Sequence, residues 1–179
     1  MKTKPKLIAL VGGPGSGKTS VLESLENLGF TCYQEVSREV TLEAQKAGID
    51  QLWIAEPLHF SRILLEGRIK QHHQAQEESK NAVIFDRGIP DVLAYLDYIG
   101  DHYPKEFIDA CNTYRYDQIF FFPPWEAIYR NDNERYESYS EAKEIGEILV
   151  NTYERFGYEL QTVPFGSIDE RVAFITQNS

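Results

Sequence analysis

Cysteine is scarce in this 179-residue chain, which has only Cys32 and Cys111. Two isolated thiols make no disulfide framework and no Cys-based metal or redox motif. Histidine is nearly as rare, at four. Its one conspicuous grouping, His72-His73, is a poor zinc site: helical neighbours point in different directions, and no third ligand stands near. Long apolar runs are missing as well. None approaches the ~20 residues that a membrane-spanning helix needs. The basic start, Met1 to Lys6, leads into only about five apolar residues, too few for a secretory signal, so the cytoplasm is the expected compartment. Positive charge is also in short supply, with 18 Lys and Arg against 28 Asp and Glu and a net charge of −10. Such a surface repels phosphate backbones and argues against a nucleic-acid partner. Repeats, low-complexity tracts and linkers are absent. With 42% hydrophobic and 26% charged residues, the expectation is one globular domain over 1–179.

Against this plain background one stretch stands out, Lys6 to Val21. Leu7 to Val11 is a short apolar run that reads as a buried strand. It breaks into glycines and resumes as a helix carrying Val21, Leu22, Leu25 and Leu28. Gly12-x-x-x-x-Gly17-Lys18-Thr19 between them fits the P-loop pattern of strand, glycine loop and helix. Glycines let successive backbone N–H groups face inward as an anion-binding nest, and the helix start adds the positive end of its dipole. Gly12, Gly13, Pro14, Gly15, Ser16, Gly17, Lys18, Thr19 and Ser20 are therefore the expected nucleotide-binding residues. Lys18 supplies a point charge to the β- and γ-phosphates and Thr19 a hydroxyl ligand to Mg²⁺.

Beyond the loop, strands alternate with helices. Phe30 to Gln34 reads as a second strand, followed by a helix to about Gln45. Residues 49–57 look irregular. A long helix to about Ser79 should bury Phe60, Ile63, Leu64 and Gly67, and its end beyond Ile69 looks polar and exposed. Ala82 to Phe85 reads as the third strand, with a helix from Pro90 and another from Pro104. Gln118 to Phe122 is the fourth strand. Ala142, Ile145, Gly146, Leu149, Tyr153 and Phe156 form a helical stripe, and Tyr158 to Val163 the fifth strand. Ser167 to Glu170 is a capping box opening the final helix. The pattern predicts an α/β fold: a three-layer α/β/α sandwich around a mainly parallel five-stranded sheet.

Ligands of such sheets bind beyond the carboxyl ends of the strands. Gly12 to Thr19, Glu35, Asp86, Arg87, Pro123-Pro124 and Pro164 to Ser167 all follow strand ends, whereas Asp117 precedes one. Asp86 is placed to reach Mg²⁺ directly or through water, the second metal residue beside Thr19. A hydrolytic motor favours an acidic residue after it; Arg87 stands there instead, a cation suited to phosphate or to a second anionic substrate. Glu35, one turn from Arg38, reads equally as a proton acceptor for a substrate hydroxyl or as the partner in an ordinary i, i+3 ion pair. Residues 123–140 read as a lid whose Arg130 and Arg135 close over the phosphates. Trp53, Tyr95 and Trp125 are candidates for stacking on an acceptor's ring.

The chain resembles the small P-loop AAA-type ATPase/kinase family typified by the ribosylnicotinamide kinase domain of the bifunctional NAD-biosynthesis regulator, a group related to thymidylate and deoxynucleoside kinases. The resemblance rests on GGPGSGKTS at Gly12 to Ser20, Glu35-Val-Ser-Arg38, Phe85-Asp-Arg-Gly-Ile-Pro-Asp-Val-Leu-Ala-Tyr95, Phe122-Pro-Pro, Glu134-Arg135 and the closing Gly157-Tyr to Arg171-Val172. The Asp-Arg-Gly-x-Pro-Asp segment is its most specific part. The resemblance implies Glu35 as general base, Asp86 and Arg87 as the Asp-Arg pair closing the third strand, and Pro164 to Ser167 near the adenine. No guanine-reading Asn-Lys-x-Asp motif is present, which favours ATP. The expected activity is a kinase transferring the γ-phosphoryl of Mg-ATP to a small hydroxyl-bearing, nucleoside-like metabolite. The alternative is a regulatory switch that hydrolyses nucleotide slowly and signals to a protein through 36–57 and 123–140.

Overall fold

The computed structural model describes residues 4–49, 52–129 and 138–179. Five strands, β1 (Lys6–Val11), β2 (Thr31–Tyr33), β3 (Ala82–Asp86), β4 (Gln118–Phe121) and β5 (Leu160–Thr162), form one sheet in the order β2-β3-β1-β4-β5. Every pairing is parallel, so the sheet is wholly rather than mainly parallel. The helices between them are α1 (Lys18–Asn27), α2 (Val36–Lys46), α3 (Leu52–Ala55), α4 (Pro57–Gln76), α5 (Pro90–Ile99), α6 (Lys105–Thr113), α7 (Tyr139–Arg155) and α8 (Ile168–Asn178), with a 3₁₀ turn at Glu126–Ile128.

The period-two alternation of the central strand assigns its side chains to two cores. Leu7, Ala9 and Val11 join Val83, Phe85, Ile119 and Phe121 in a core roofed by α2, α4, α5 and α7. Ile8 and Leu10 join Ile84, Phe120 and Phe122 in a second core, covered by Val21, Leu22 and Leu25 of α1 and Val172 and Ile175 of α8. Helices on both faces complete the three layers. α8 opens on the expected capping box, Ser167 with Glu170, and α7 opens on a second, Ser138 with Glu141.

Two segments depart from expectation. Leu52–Ala55 forms a short helix within 49–57, with Leu52 buried against the core. In α4 the buried line is Ser61, Leu64, Leu65, Arg68, His72 and Ala75, while Phe60 and Ile63 flank it. Gly67 packs against Val36 of α2, where an added Cβ would lie 2.6 Å from that side chain. The polar end of α4 is not exposed on every side: His72 is 3% exposed, and its Nε2–H donates to the Arg115 carbonyl at 2.8 Å. Asp117 sits at the amino edge of the sheet, away from the strand carboxyl ends, where it accepts from the Leu7 N–H at 2.7 Å. Among the described residues no helix is long and apolar enough to cross a membrane, and no His, Cys, Asp or Glu cluster suits a metal ion.

Candidate active site

The loop between β1 and α1 is built from backbone that only glycine adopts readily. Gly15 and Gly17 have φ of 71° and 81°, the left-handed region in which a Cβ is penalised. A Cβ on Gly15 would also lie 2.6 Å from the Tyr129 ring, and one on Gly17 2.6 Å from the end of the Arg171 side chain, which would have to move. Ser16 Oγ donates to the Gly13 carbonyl at 2.9 Å and tightens the turn. Lys18, 6% exposed, donates through Nζ to the carbonyls of Gly12 at 2.7 Å and Gly13 at 3.2 Å. Burial, then the neighbouring Arg87, brings its ammonium down to about 8. A desolvated cation inside a ring of peptide groups is poised for an anion.

β3 delivers the second half of the site. Register pairs Asp86 with Leu10, so its carboxylate emerges beside the root of the loop. Asp86 is 6% exposed, and its Oδ1 has no hydrogen-bond partner among the described residues. Burial is the main reason its pKa is raised, against the pull of Lys18. An orphaned carboxylate oxygen close to a threonine-bearing helix start is the hard-oxygen chemistry that Mg²⁺ takes. Thr19 and Asp86 thus fit the ion, and the glycine cradle fits a polyphosphate.

Arg87 follows with φ of 70°, the one non-glycine residue in the left-handed region among those described, a conformation costing roughly 1–2 kcal/mol. Its backbone N–H donates to the Leu10 carbonyl at 2.9 Å. Its Nε lies 2.7 Å from Glu35 Oε1 in an ion pair whose N–H is not aimed at the oxygen. Nη1 donates to Tyr95 Oη at 3.0 Å and lies 3.6 Å from Asp91 Oδ1. Glu35, at the end of β2, also has Arg68 Nη2 at 3.9 Å. Burial opposes its charge, but Arg87 and then Arg68 outweigh that and hold the carboxyl down at about 2. Of the two readings of Glu35, the i, i+3 pair with Arg38 is not formed: Glu35 pairs with Arg87 and Arg68, and Arg38 is exposed on the first turn of α2.

The structure therefore brings Lys18, Glu35, Asp86 and Arg87 to one edge with the loop. Arg130 and Arg135, with the 130–137 part of the expected lid over 123–140, lie outside the described residues. Of the aromatic candidates, Tyr95 joins the cluster through Arg87. Trp53 packs on Phe60 at 6.3 Å, and Trp125 stacks on Phe165 at 5.1 Å. Sequence reasoning gave no role to three residues, although Asp91 and Arg171 stand in the segments that carry the resemblance. Arg171, 3% exposed, donates from α8 to the Ser16 carbonyl at 2.7 Å and lies over the Phe122 ring at 4.7 Å. Arg68 donates to the Gly88 carbonyl at 2.8 Å, and Asp91, fully buried, accepts from the Gly88 N–H at 3.0 Å. The available signals were an arginine inside the apolar line of α4 and an aspartate at the third position after Gly88, where a helix is starting.

Comparison with curated protein sequences finds no match. Solved structures are informative about the fold. Deoxyadenosine kinase from M. mycoides with bound dATP superposes with a TM-score of 0.71 at 15% identity, over 96% of this chain and 98% of that one. Thymidylate kinase from Candida albicans gives 0.68 at 16% identity, over 98% and 91%. The NadR protein in complex with NR gives 0.70 at 16% identity, over 97% of this chain and 49% of that one. At these identities the likeness is one of architecture. The sequence profile of the AAA domain family matches residues 7–171, from β1 through the glycine loop to Arg171 in α8, and the chain belongs to that family.

Proposed function

We propose that this chain is a kinase that moves the γ-phosphoryl of ATP to a hydroxyl of a small, nucleoside-like acceptor. The observation that carries the reading is the Glu35–Arg87 ion pair at 2.7 Å on the loop's own rim. A nucleotide-binding loop alone serves many chemistries; a carboxylate held beside it, 16% exposed and ionised, supplies a second reactant's site. Held near 2, Glu35 accepts a hydrogen bond from a hydroxyl at any physiological pH. So weak a base orients the hydroxyl and takes its proton late, which suits the loose transition state of phosphoryl transfer. The kinase names of the two superposed nucleoside and nucleotide kinases support the same class.

The cluster's charge also favours an uncharged acceptor. Lys18, Arg68 and Arg87 are matched by Glu35, Asp86 and Asp91 within one cluster of charges. A phosphorylated acceptor would have to pull Arg87 from Glu35, and breaking a buried pair costs about 3–5 kcal/mol. In this reading the loop and Lys18 hold the phosphates, Thr19 and Asp86 hold Mg²⁺, and Arg87 steadies Glu35. The ion supplies charge neutralisation at the transferring group.

The test is ADP release from Mg-ATP in the presence of a panel of nucleosides and nucleoside monophosphates, repeated with Glu35→Gln. A kinase shows acceptor-dependent release with nucleosides. The variant keeps ATP affinity within about twofold but loses 10²–10⁴-fold in turnover, the usual scale of acid–base help. Full turnover in a folded Glu35→Gln protein removes Glu35 from the chemistry. No acceptor-dependent release, together with nucleotide-dependent binding of a protein, would replace the kinase by the switch.

A further inference from the structure

Arg87 is a strained residue with a long side chain, and something must hold both its backbone and its guanidinium. The residue that follows it, Gly88, is held through both of its backbone polar groups. The Gly88 N–H donates to Asp91 Oδ2 at 3.0 Å, and the Gly88 carbonyl accepts from Arg68 Nη1 at 2.8 Å. The next N–H, of Ile89, donates to Tyr116 Oη at 3.1 Å. Gly88 itself has no room for a side chain, since a Cβ there would lie 2.3 Å from Tyr153 Oη and 3.0 Å from the Tyr116 ring.

Asp91 is the centre of this grip. It is 0% exposed, and its two oxygens face different partners. Oδ2 accepts from the Gly88 N–H and from Tyr153 Oη, which reaches across from α7 at 2.6 Å. Oδ1 has no hydrogen-bond partner among the described residues and lies 3.6 Å from Arg87 Nη1. A neutral acceptor such as asparagine satisfies the turn as well as Oδ2 does. Burying a full negative charge is costly unless a cation answers it, and the cation that Oδ1 faces is Arg87. Glu35 and Asp91 therefore meet one guanidinium at different nitrogens, Nε and Nη1.

We propose that Asp91, oriented by Tyr153, is a positioning residue that fixes the Arg87 guanidinium against Glu35, and through it the reacting geometry of the acceptor site. The kinetic half of this inference rests on the kinase reading; the structural half does not. The test uses the full chain labelled with ¹⁵N, in wild type, Asp91→Asn and Tyr153→Phe. The Nε–H resonance of Arg87 is assigned by its loss in Arg87→Lys. Asp91→Asn preserves an acceptor for the Gly88 N–H and for Tyr153 but turns a donor amide toward the guanidinium. The Arg87 Nε–H signal should shift or broaden while the Gly88 amide stays in place. Turnover with an acceptor should fall on the order of 10²-fold, as a small misplacement of a catalytic group does, with ATP affinity within about twofold. Tyr153→Phe keeps the ring and removes one donor to Asp91; it should produce the same shift and a smaller, roughly tenfold loss. It carries the test alone if Asp91→Asn does not fold. An unmoved Arg87 signal in a folded variant overturns the proposal, whatever happens to turnover or melting temperature. A moved signal in a protein that phosphorylates no acceptor leaves the positioning role standing and refutes the kinase.

Discussion

Because Lys18 is buried among loop carbonyls and sits near Arg87, its ammonium is brought from the ordinary 10.5 to about 8, and if Lys18 holds the phosphates as proposed, ATP binding is pH-dependent in a calculable direction. Only the charged form attracts an anion, so the apparent dissociation constant scales inversely with the protonated fraction. That fraction is about nine-tenths at pH 7 and about one-tenth at pH 9, so ATP affinity should weaken by roughly tenfold across the interval. Tyr95, the nearby phenol, is pushed up from its ordinary value of 10, chiefly by burial, and does not titrate in this window. Folding stability moves the other way. Between pH 8 and 10.5 the unfolded chain binds a proton that the folded chain has released, so stability rises with pH there. Below pH 8 the burial cost stands in full, on the order of 3 kcal/mol. The assay is titration of the protein with a fluorescent ATP analogue in Mg²⁺ from pH 7 to 9.5, alongside Lys18→Arg. The arginine stays protonated throughout, so its binding curve should be flat. A flat curve for the wild type, or an equal slope for Lys18→Arg, would refute the reasoning and assign the phosphate contact to another group.

Three further outcomes follow from the geometry. Asp86→Asn removes the charge of a buried carboxylate whose Oδ1 is unpartnered; it should weaken the Mg²⁺ dependence of turnover by tenfold or more while metal-free nucleotide binding changes little, and isothermal titration with and without Mg²⁺ separates the two. Gly88→Ala drives a methyl to 2.3 Å from Tyr153 Oη, an overpacking worth about 1–3 kcal/mol, so thermal unfolding should fall by several degrees; an unchanged transition means the turn has slack. Arg171→Ala deletes the 2.7 Å bond to the Ser16 carbonyl, a charged hydrogen bond of about 1.5–3 kcal/mol, and should lower both melting temperature and ATP affinity; loss of stability alone would restrict Arg171 to packing.

The elements that depend on local pattern were readable from the sequence, and those that depend on where a side chain ends up were not. The strand–loop–helix of Lys6 to Asn27 needs glycines at fixed steps and a two-faced strand, so its residues announce it. The same holds for Ser167 with Glu170, a capping box that is complete within four residues. The reach of Arg87 is different. Its spacing from Glu35 says nothing about contact; that follows only once β2 pairs with β3 and brings Tyr33 alongside Phe85, two residues before Glu35 and Arg87 respectively. Local reasoning instead offered Arg38, four positions from a strand end, which the turn of α2 sends into solvent. Arg68 failed for the complementary reason. A helical stripe is read by polarity, and an arginine within it counts as an interruption, yet here it lies 3% exposed because the Gly88 carbonyl and Glu35 await it. Buried charges are placed by partners from distant segments, so a hydropathy pattern misplaces them first, and they are the residues on which a polar reaction site is built.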